Sequence, residues 1–313
     1  MERIRSRESK VCLHKSRSNP PRLAAHLRPG RSCVLSSKFT YGTSNVVFEI
    51  AFDDGVVWIC RVHQSANPNY VKMIIESTVA TMRYVRRNTT IPVPTIYAYE
   101  SDSTATKIGS AFIFMDGISG VHARIRDIPN PQKYFQMADV AMQLAGLRFP
   151  KIGRIYQIST GDFTVGPFVK RDGMEYGPFS TAVEYYTFLA ESDARERCSR
   201  KYEGPDHKAQ RTRDRFASHL YCTAATRLSL ANAGPFAIIH GDFGVHNILF
   251  APDDQMTGVV DWEHSQTAPA LLSCDYPGML AVRWPYVDRH NPVVFKTIPK
   301  CQELFHEGIR LSE

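Results

Sequence analysis

The chain has 313 residues, 43% of them hydrophobic and 22% charged, which suits a globular protein with a sizeable buried core and excludes a disordered chain. Its net charge of +7 resides in residues 1–38, where ten Lys/Arg face two acids; the remainder sums to −1, which argues against nucleic acid as a partner of the folded body. No apolar run reaches the ~18 residues needed to cross a bilayer, and seven cysteines without a C-x-x-C pair argue against structural zinc, so a soluble, cytoplasmic protein is expected.

Residues 1–32 are Arg- and Ser-rich and read as a disordered tail. Mitochondrial targeting is the alternative for this composition, although Asn19-Pro20-Pro21 would interrupt an amphipathic targeting helix. Cys33 to Thr40 reads as a strand that enters Tyr41-Gly42-Thr43-Ser44-Asn45. Val46–Phe52 and Val56–Val62 flank Asp53-Asp54-Gly55, a hairpin signal. Residues 70–87 carry apolar side chains at 71, 74, 75, 79, 82 and 85, the spacing of a helix, which Ile91-Pro92-Val93-Pro94 ends. Short strands follow near 96–99 and 111–115, then Met115-Asp116-Gly117-Ile118-Ser119-Gly120 reads as a linker. Helices are expected over 132–147, 182–201 and 207–231. The pattern is α+β and two-lobed, with a small β-rich lobe over 33–115 and a larger helical lobe over 116–313. A ligand is expected between them.

The stretch Ile238 to Glu263, "IIHGDFGVHNILFAPDDQMTGVVDWE", sets His240, Asp242, Asn247 and Asp261 among core-like apolar residues. Polar groups in such surroundings cost free energy unless compensated. Asn247 precedes the strand Ile248-Leu249-Phe250, residues 251–258 have turn chemistry, and Val259-Val260 runs back. If the strands pair antiparallel, Asn247 and Asp261 share one end of a hairpin, and their oxygens suit Mg²⁺. Asp242, on a loop bracketed by Gly241 and Gly244, reaches the same end and can orient a hydroxyl and accept its proton. His240 then holds the loop backbone within this catalytic segment. The arrangement fits phosphoryl transfer. A metal-dependent hydrolase with His240, Asp242, His246 and His264 as ligands is the rival reading.

With "YGTSNVVFEIAFDDGVVWICRV", "VATMRYVRRNTTIPVPTIYAY", "FIFMDGISG" and "IGRIY…GDFTVGPFV", this stretch resembles the aminoglycoside phosphotransferase family, in particular its fungal branch, over residues ~33–280. The resemblance implies a protein-kinase-like fold, ATP and Mg²⁺ as cofactors, and a small-molecule hydroxyl as acceptor. It assigns Asp242 as catalytic aspartate and Asn247 and Asp261 as Mg²⁺ ligands. It places the loop over the ATP phosphates at Tyr41–Asn45, with Gly42, Ser44 and Asn45, a phosphate-binding cation at Arg61, and the adenine-facing linker at Met115–Gly117.

Two departures stand out. The family pairs the strand cation with a glutamate on the first helix, and here that position is Thr78; Glu76 lies roughly 160° around the helix. Arg61 is thus expected to lack its anchor, with catalysis impaired, Thr78→Glu restoring turnover, and a non-catalytic nucleotide-binding protein as a further alternative. Only 50 residues follow Glu263. Cys274–Leu280 matches the family's continuation but 281–313 is hard to place, which reads as a truncated or divergent end.

Overall fold

The computed structural model describes residues 20–104, 108–122, 130–159, 161–199, 207–225, 233–269 and 292–312. The first helix among the described residues, α1 (Pro20–Leu27), falls where the tail was expected to be disordered. Pro20 and Pro21 start this helix rather than break it, because proline at the first helical positions has its φ preset and lacks only an N–H that would be unpaired anyway. Ala24 is fully buried among Phe48, Ile50, Phe52 and Trp58. Arg28 follows with a two-pronged hydrogen bond to Asp54 at 3.0 and 2.7 Å.

The small lobe is an antiparallel sheet of β1 (Cys33–Tyr41), β2 (Asn45–Phe52), β3 (Val57–His63), β4 (Ile96–Glu100) and β5 (Phe112–Asp116), in the order β1-β2-β3-β5-β4. Period-two alternation decides its two faces. Val46, Phe48, Ile50 and Phe52 of β2, with Trp58, Cys60 and Val62 of β3, pack beneath α1. Val47, Glu49, Val57, Ile59 and Arg61 therefore point the other way, into a cleft between the lobes. Helix α2 (Pro68–Asn88) begins on an Asn67 cap that accepts from the Tyr70 N–H, and buries Val71, Ile74, Ile75, Met82 and Val85 as the spacing predicts.

Linker residues 117–120 lead to β6 (Val121–His122). The larger lobe then runs through α3 (Pro131–Gly146), β7 (Arg148–Phe149), the hairpin β8 (Arg154–Ser159) and β9 (Asp162–Gly166), and the short pair β10 (Phe168–Val169) and β11 (Glu175–Tyr176). Helices α4 (Ala182–Ser199) and α5 (His207–Ala225) pack on each other. Next come β12 (Phe236–Ile239), β13 (Ile248–Phe250), β14 (Met256–Val259) and β15 (Gln266–Ala268). A last helix, α6 (Pro292–Ser312), forms in the span that the sequence reading could not place and packs along α3. Residues 274–280, the matched continuation, lie outside the described residues. Pairing of β6 with β13, Leu249 opposite His122, lands the linker directly on the hairpin that carries Asn247. Among the described residues no helix is long and apolar enough to cross a membrane.

The burial of Ala24 gives a test of α1 as part of the folded lobe. Ala24→Asp should lower the unfolding free energy by about 2 kcal/mol or more, since it buries a carboxylate with no partner. Denaturant titration measures this, and an unchanged midpoint would mean that α1 does not dock.

Candidate active site

The register of one hairpin brings Asn247 and Asp261, the expected metal ligands, together. Ile248 stands opposite Val259, and the Val260 N–H donates to the Asn247 carbonyl at 2.9 Å, so Asn247 and Asp261 meet at the same end. Asp261 is held left-handed, φ 66° and ψ 56°, a conformation that costs a non-glycine residue about 1–2 kcal/mol. What holds it there is the next residue. Trp262 is buried to 1%, and its Nε1 donates to the Val259 carbonyl at 2.8 Å, which locks the turn.

Asp242 reaches this end through a loop that requires glycine at its base. Gly241 has φ 80°, and a Cβ there would lie 2.1 Å from the His264 carbonyl oxygen. The Asp242 carboxylate accepts from His246 Nε2 and from Asn247 Nδ2, each at 3.1 Å, and its carbonyl accepts from the same Asn247 amide at 2.8 Å. Burial acts to raise the Asp242 carboxyl, but His246 and Asn247 outweigh it and hold the group below the ordinary carboxylate range. Because the Asn247 nitrogen is turned to Asp242, its side-chain oxygen is not the atom engaged there.

His240 is 2% exposed, and its Nε2 donates to the Val260 carbonyl at 3.0 Å. It therefore ties the loop to the hairpin from beneath and does not line the cleft. Burial drives its pKa down to about 4, so the ring is neutral near pH 7. The cluster expected of a hydrolase does not form: His240 is spent on backbone, and among the described residues no three His, Cys, Asp or Glu side chains are arranged to hold a metal.

The opposite wall comes from the small lobe. Residues 42–44 form the tight turn between β1 and β2, closed by the Gly42 N–H on the Asn45 carbonyl at 2.8 Å. Arg61 is not without an anchor, as the Thr78 substitution had suggested. Its Nη2 donates to Asp261 at 2.6 Å and to Glu263 at 2.5 Å. Asn45 Nδ2 donates to the same Glu263 oxygen at 2.5 Å, and His63 Nε2 lies 3.6 Å from the other. The Ser65 N–H occupies His63 Nδ1, which leaves the Nε2 proton directed at Glu263. Burial acts to raise the Glu263 carboxyl, but His63, Arg61 and Asn45 outweigh it and hold it well below the usual carboxylate range. Thr78 is buried to 2% with its hydroxyl unpaired, and Glu76 accepts from Ser101 at 2.9 Å. The ground for expecting Thr78→Glu to raise turnover is therefore gone: Arg61 already has two carboxylates, and a third, at position 78, would be buried.

Gly42, Ser44, Asn45, Arg61, Met115, Gly117, Asp242, Asn247 and Asp261 all line one cleft of about 1000 Å³. In the linker, the Asp116 and Gly117 N–H groups are taken by the Thr95 and Val57 carbonyls at 3.0 and 2.9 Å. A Cβ on Gly117 would sit 2.7 Å from the Val57 side chain, so the linker hugs β3 only because that residue is glycine. His246 and His264, the further ligands of the hydrolase reading, also line the cleft, as does Glu263, which the sequence reading did not assign. For Glu263 a signal existed. It is an acid two residues beyond Asp261, in a chain whose strand arginine had no partner on the helix.

Residues 37–285 match the family described as "Phosphotransferase enzyme family". The chain belongs to this family. The structure of a candidate aminoglycoside phosphotransferase of Ralstonia eutropha JMP134 superposes with a TM-score of 0.59 at 18% identity, covering 92% of this chain and 79% of that one. A candidate fructosamine-3-kinase of Thermobifida fusca gives 0.57 at 13%, covering 92% and 83%. These likenesses establish the two-lobed, protein-kinase-like α+β fold. Among curated proteins, clavilactone A biosynthesis cluster protein Y of Ampulloclitocybe clavipes is 24% identical over 282 residues, which are 83% of this chain and 67% of that relative. The phosphotransferase therefore builds its cleft on the family's frame, with an acid from the larger lobe placed against the strand arginine.

The buried, neutral His240 sets a pH dependence. Its folded pKa lies near 4 and its unfolded value near 6.5, so the unfolded chain binds the proton first and stability falls with pH through that window. The Glu263 and Asp242 contributions have the depressed-carboxylate sign and fade only below about pH 4.5. Between pH 6.5 and 5 the unfolding free energy should fall by about 1.5–2 kcal/mol without added divalent ions, and His240→Asn should flatten this slope. A parallel slope in the variant would assign the effect elsewhere.

Proposed function

We propose that this phosphotransferase moves the γ-phosphoryl group of ATP to a hydroxyl of a small molecule, with Asp242 as catalytic base. The observation that supports the reading best is the convergence of Asn247 and Asp261 beside Asp242. Asn247 has its nitrogen engaged and its oxygen free, and the Asp261 carboxylate is 41% exposed, so two hard oxygen donors face one cleft. That donor set fits Mg²⁺. Magnesium held there by Asn247 and Asp261 would supply positive charge against that of the phosphates.

The remaining work falls to the chain's own side chains. Val47, Ile59, Met115 and Leu249 bring apolar surface from both lobes against the space between them, suited to a flat base. With the Asp116 and Gly117 N–H groups occupied, linker contacts to that base fall to carbonyls or to residues from Ile118 onward. The Gly42 N–H is likewise spent within its own turn, so Thr43, Ser44 and the Arg61 cation carry the contacts to phosphate. Asp242, kept ionised by His246 and Asn247, accepts the hydroxyl proton as the oxygen attacks in line. His240 and Trp262 hold the loop and the turn at fixed distance and take no proton in the reaction.

A catalytically impaired nucleotide-binding protein was the alternative that the missing helix glutamate and the short C-terminal end suggested, and the Arg61–Glu263 pair speaks against the first of these grounds. Asp242→Asn should leave the affinity for a Mg²⁺–ATP analogue within about threefold of wild type and cut phosphoryl transfer by about 10²-fold or more. Asp261→Ala should weaken Mg²⁺-dependent nucleotide binding as well. Calorimetry together with an ADP-release assay over hydroxylated metabolites separates the two, and wild-type transfer in both variants would end the assignment.

A further inference from the structure

We propose that Glu263 is the positioning residue for Arg61, taking over from the larger lobe the task that a glutamate on α2 would perform. This rests on the reading of Arg61 as the phosphate-binding cation. Position 78 supplies no acid, and Glu76 faces Ser101. Helix α2 packs on the turn at 262–264, so Glu263 enters the cleft beside the helix that would otherwise supply the acid.

The chemistry requires such a partner. Arg61 Nη2 is shared between Asp261, whose side chain is 41% exposed, and Glu263, whose side chain is 3% exposed. The exposed carboxylate is the one whose oxygens suit a metal, and a metal there competes with the arginine for them. Glu263 lies outside that competition, buried among Asn45, Arg61 and His63, with its own carbonyl accepting from Arg154 Nη1 at 2.9 Å. It holds Arg61 at the cleft wall whether or not Asp261 is engaged. A buried carboxylate left without these donors is strongly unfavourable, so the pair also fixes the small lobe to the larger one at Asn45, Arg61 and His63.

The test is a double-mutant cycle read by calorimetric affinity for Mg²⁺–AMP-PNP, with unfolding of the nucleotide-free protein followed in parallel. Glu263→Gln and Arg61→Gln should each weaken binding about tenfold or more, as loss of a charge-assisted contact does. In the Arg61→Gln background, Glu263→Gln should cost no further affinity, because its effect passes through the arginine. A purely structural glutamate would lower the melting temperature and cost the same affinity in both backgrounds, which overturns the proposal. So would wild-type affinity in Glu263→Gln. Should that variant not fold, Glu263→Asp, which keeps the charge and withdraws it by one methylene, carries the same comparison. A wild-type protein that binds no Mg²⁺–nucleotide overturns the functional reading and this inference together, whereas wild-type binding with an independent Glu263 overturns this inference alone.

Discussion

One antiparallel register governs this cleft. Because Ile248 faces Val259, the residues just outside the ladder, Asn247 and Asp261, must meet. A shift by one residue would turn every side chain of the hairpin over and send Ile248 and Val259, both fully buried, toward water. The hydrophobic cost of that slip fixes the geometry of the polar pair. The same hairpin receives the linker through β6, so its register also sets where the lobes join.

Around that constraint, the polar groups divide by burial. His240 and Glu263 are both buried to 2%, yet one is neutral and the other ionised. His240 has a backbone carbonyl and no compensating ion pair in contact, so loss of hydration decides and the proton stays off. Glu263 has a guanidinium and an amide on one oxygen and an imidazole near the other, so the donors decide. Asp242 and Asp261 lie in between, exposed enough to meet a ligand and restrained enough to be aimed.

Much of this was legible in the sequence, and the reasons are local. The alternation in Val46–Phe52 and the helical spacing in 70–87 match the elements they fold into, because pattern and burial agree there, whereas of the turn expected over 251–258 only 251–255 turn and Met256–Gly258 already belong to β14. Helix α1 was missed because Pro20-Pro21 was read as a break, whereas its position at the first turn makes it a start. Helix α6 was missed because its span could not be placed on the family's sequence pattern, and its packing on α3 is a tertiary fact. The Arg61 partner was missed for a different reason. The search for a carboxylate stayed on the helix surface, where periodicity can be computed, while the acid comes from 202 residues away in the chain.

That distance bears on how the cleft works. An anchor on α2 would belong to the same lobe as Arg61, and the cation would keep its place however the lobes moved. An anchor on the 262–264 turn makes the position of Arg61 a function of lobe closure, since Asn45, Arg61 and His63 must all approach Glu263 at once. Opening the cleft would strand a carboxylate that is 3% exposed, a costly state unless water reaches it in step. The closed arrangement is therefore favoured before any ligand arrives. Closure and the placing of Arg61 then become one event, tied to the buried Glu263 carboxylate.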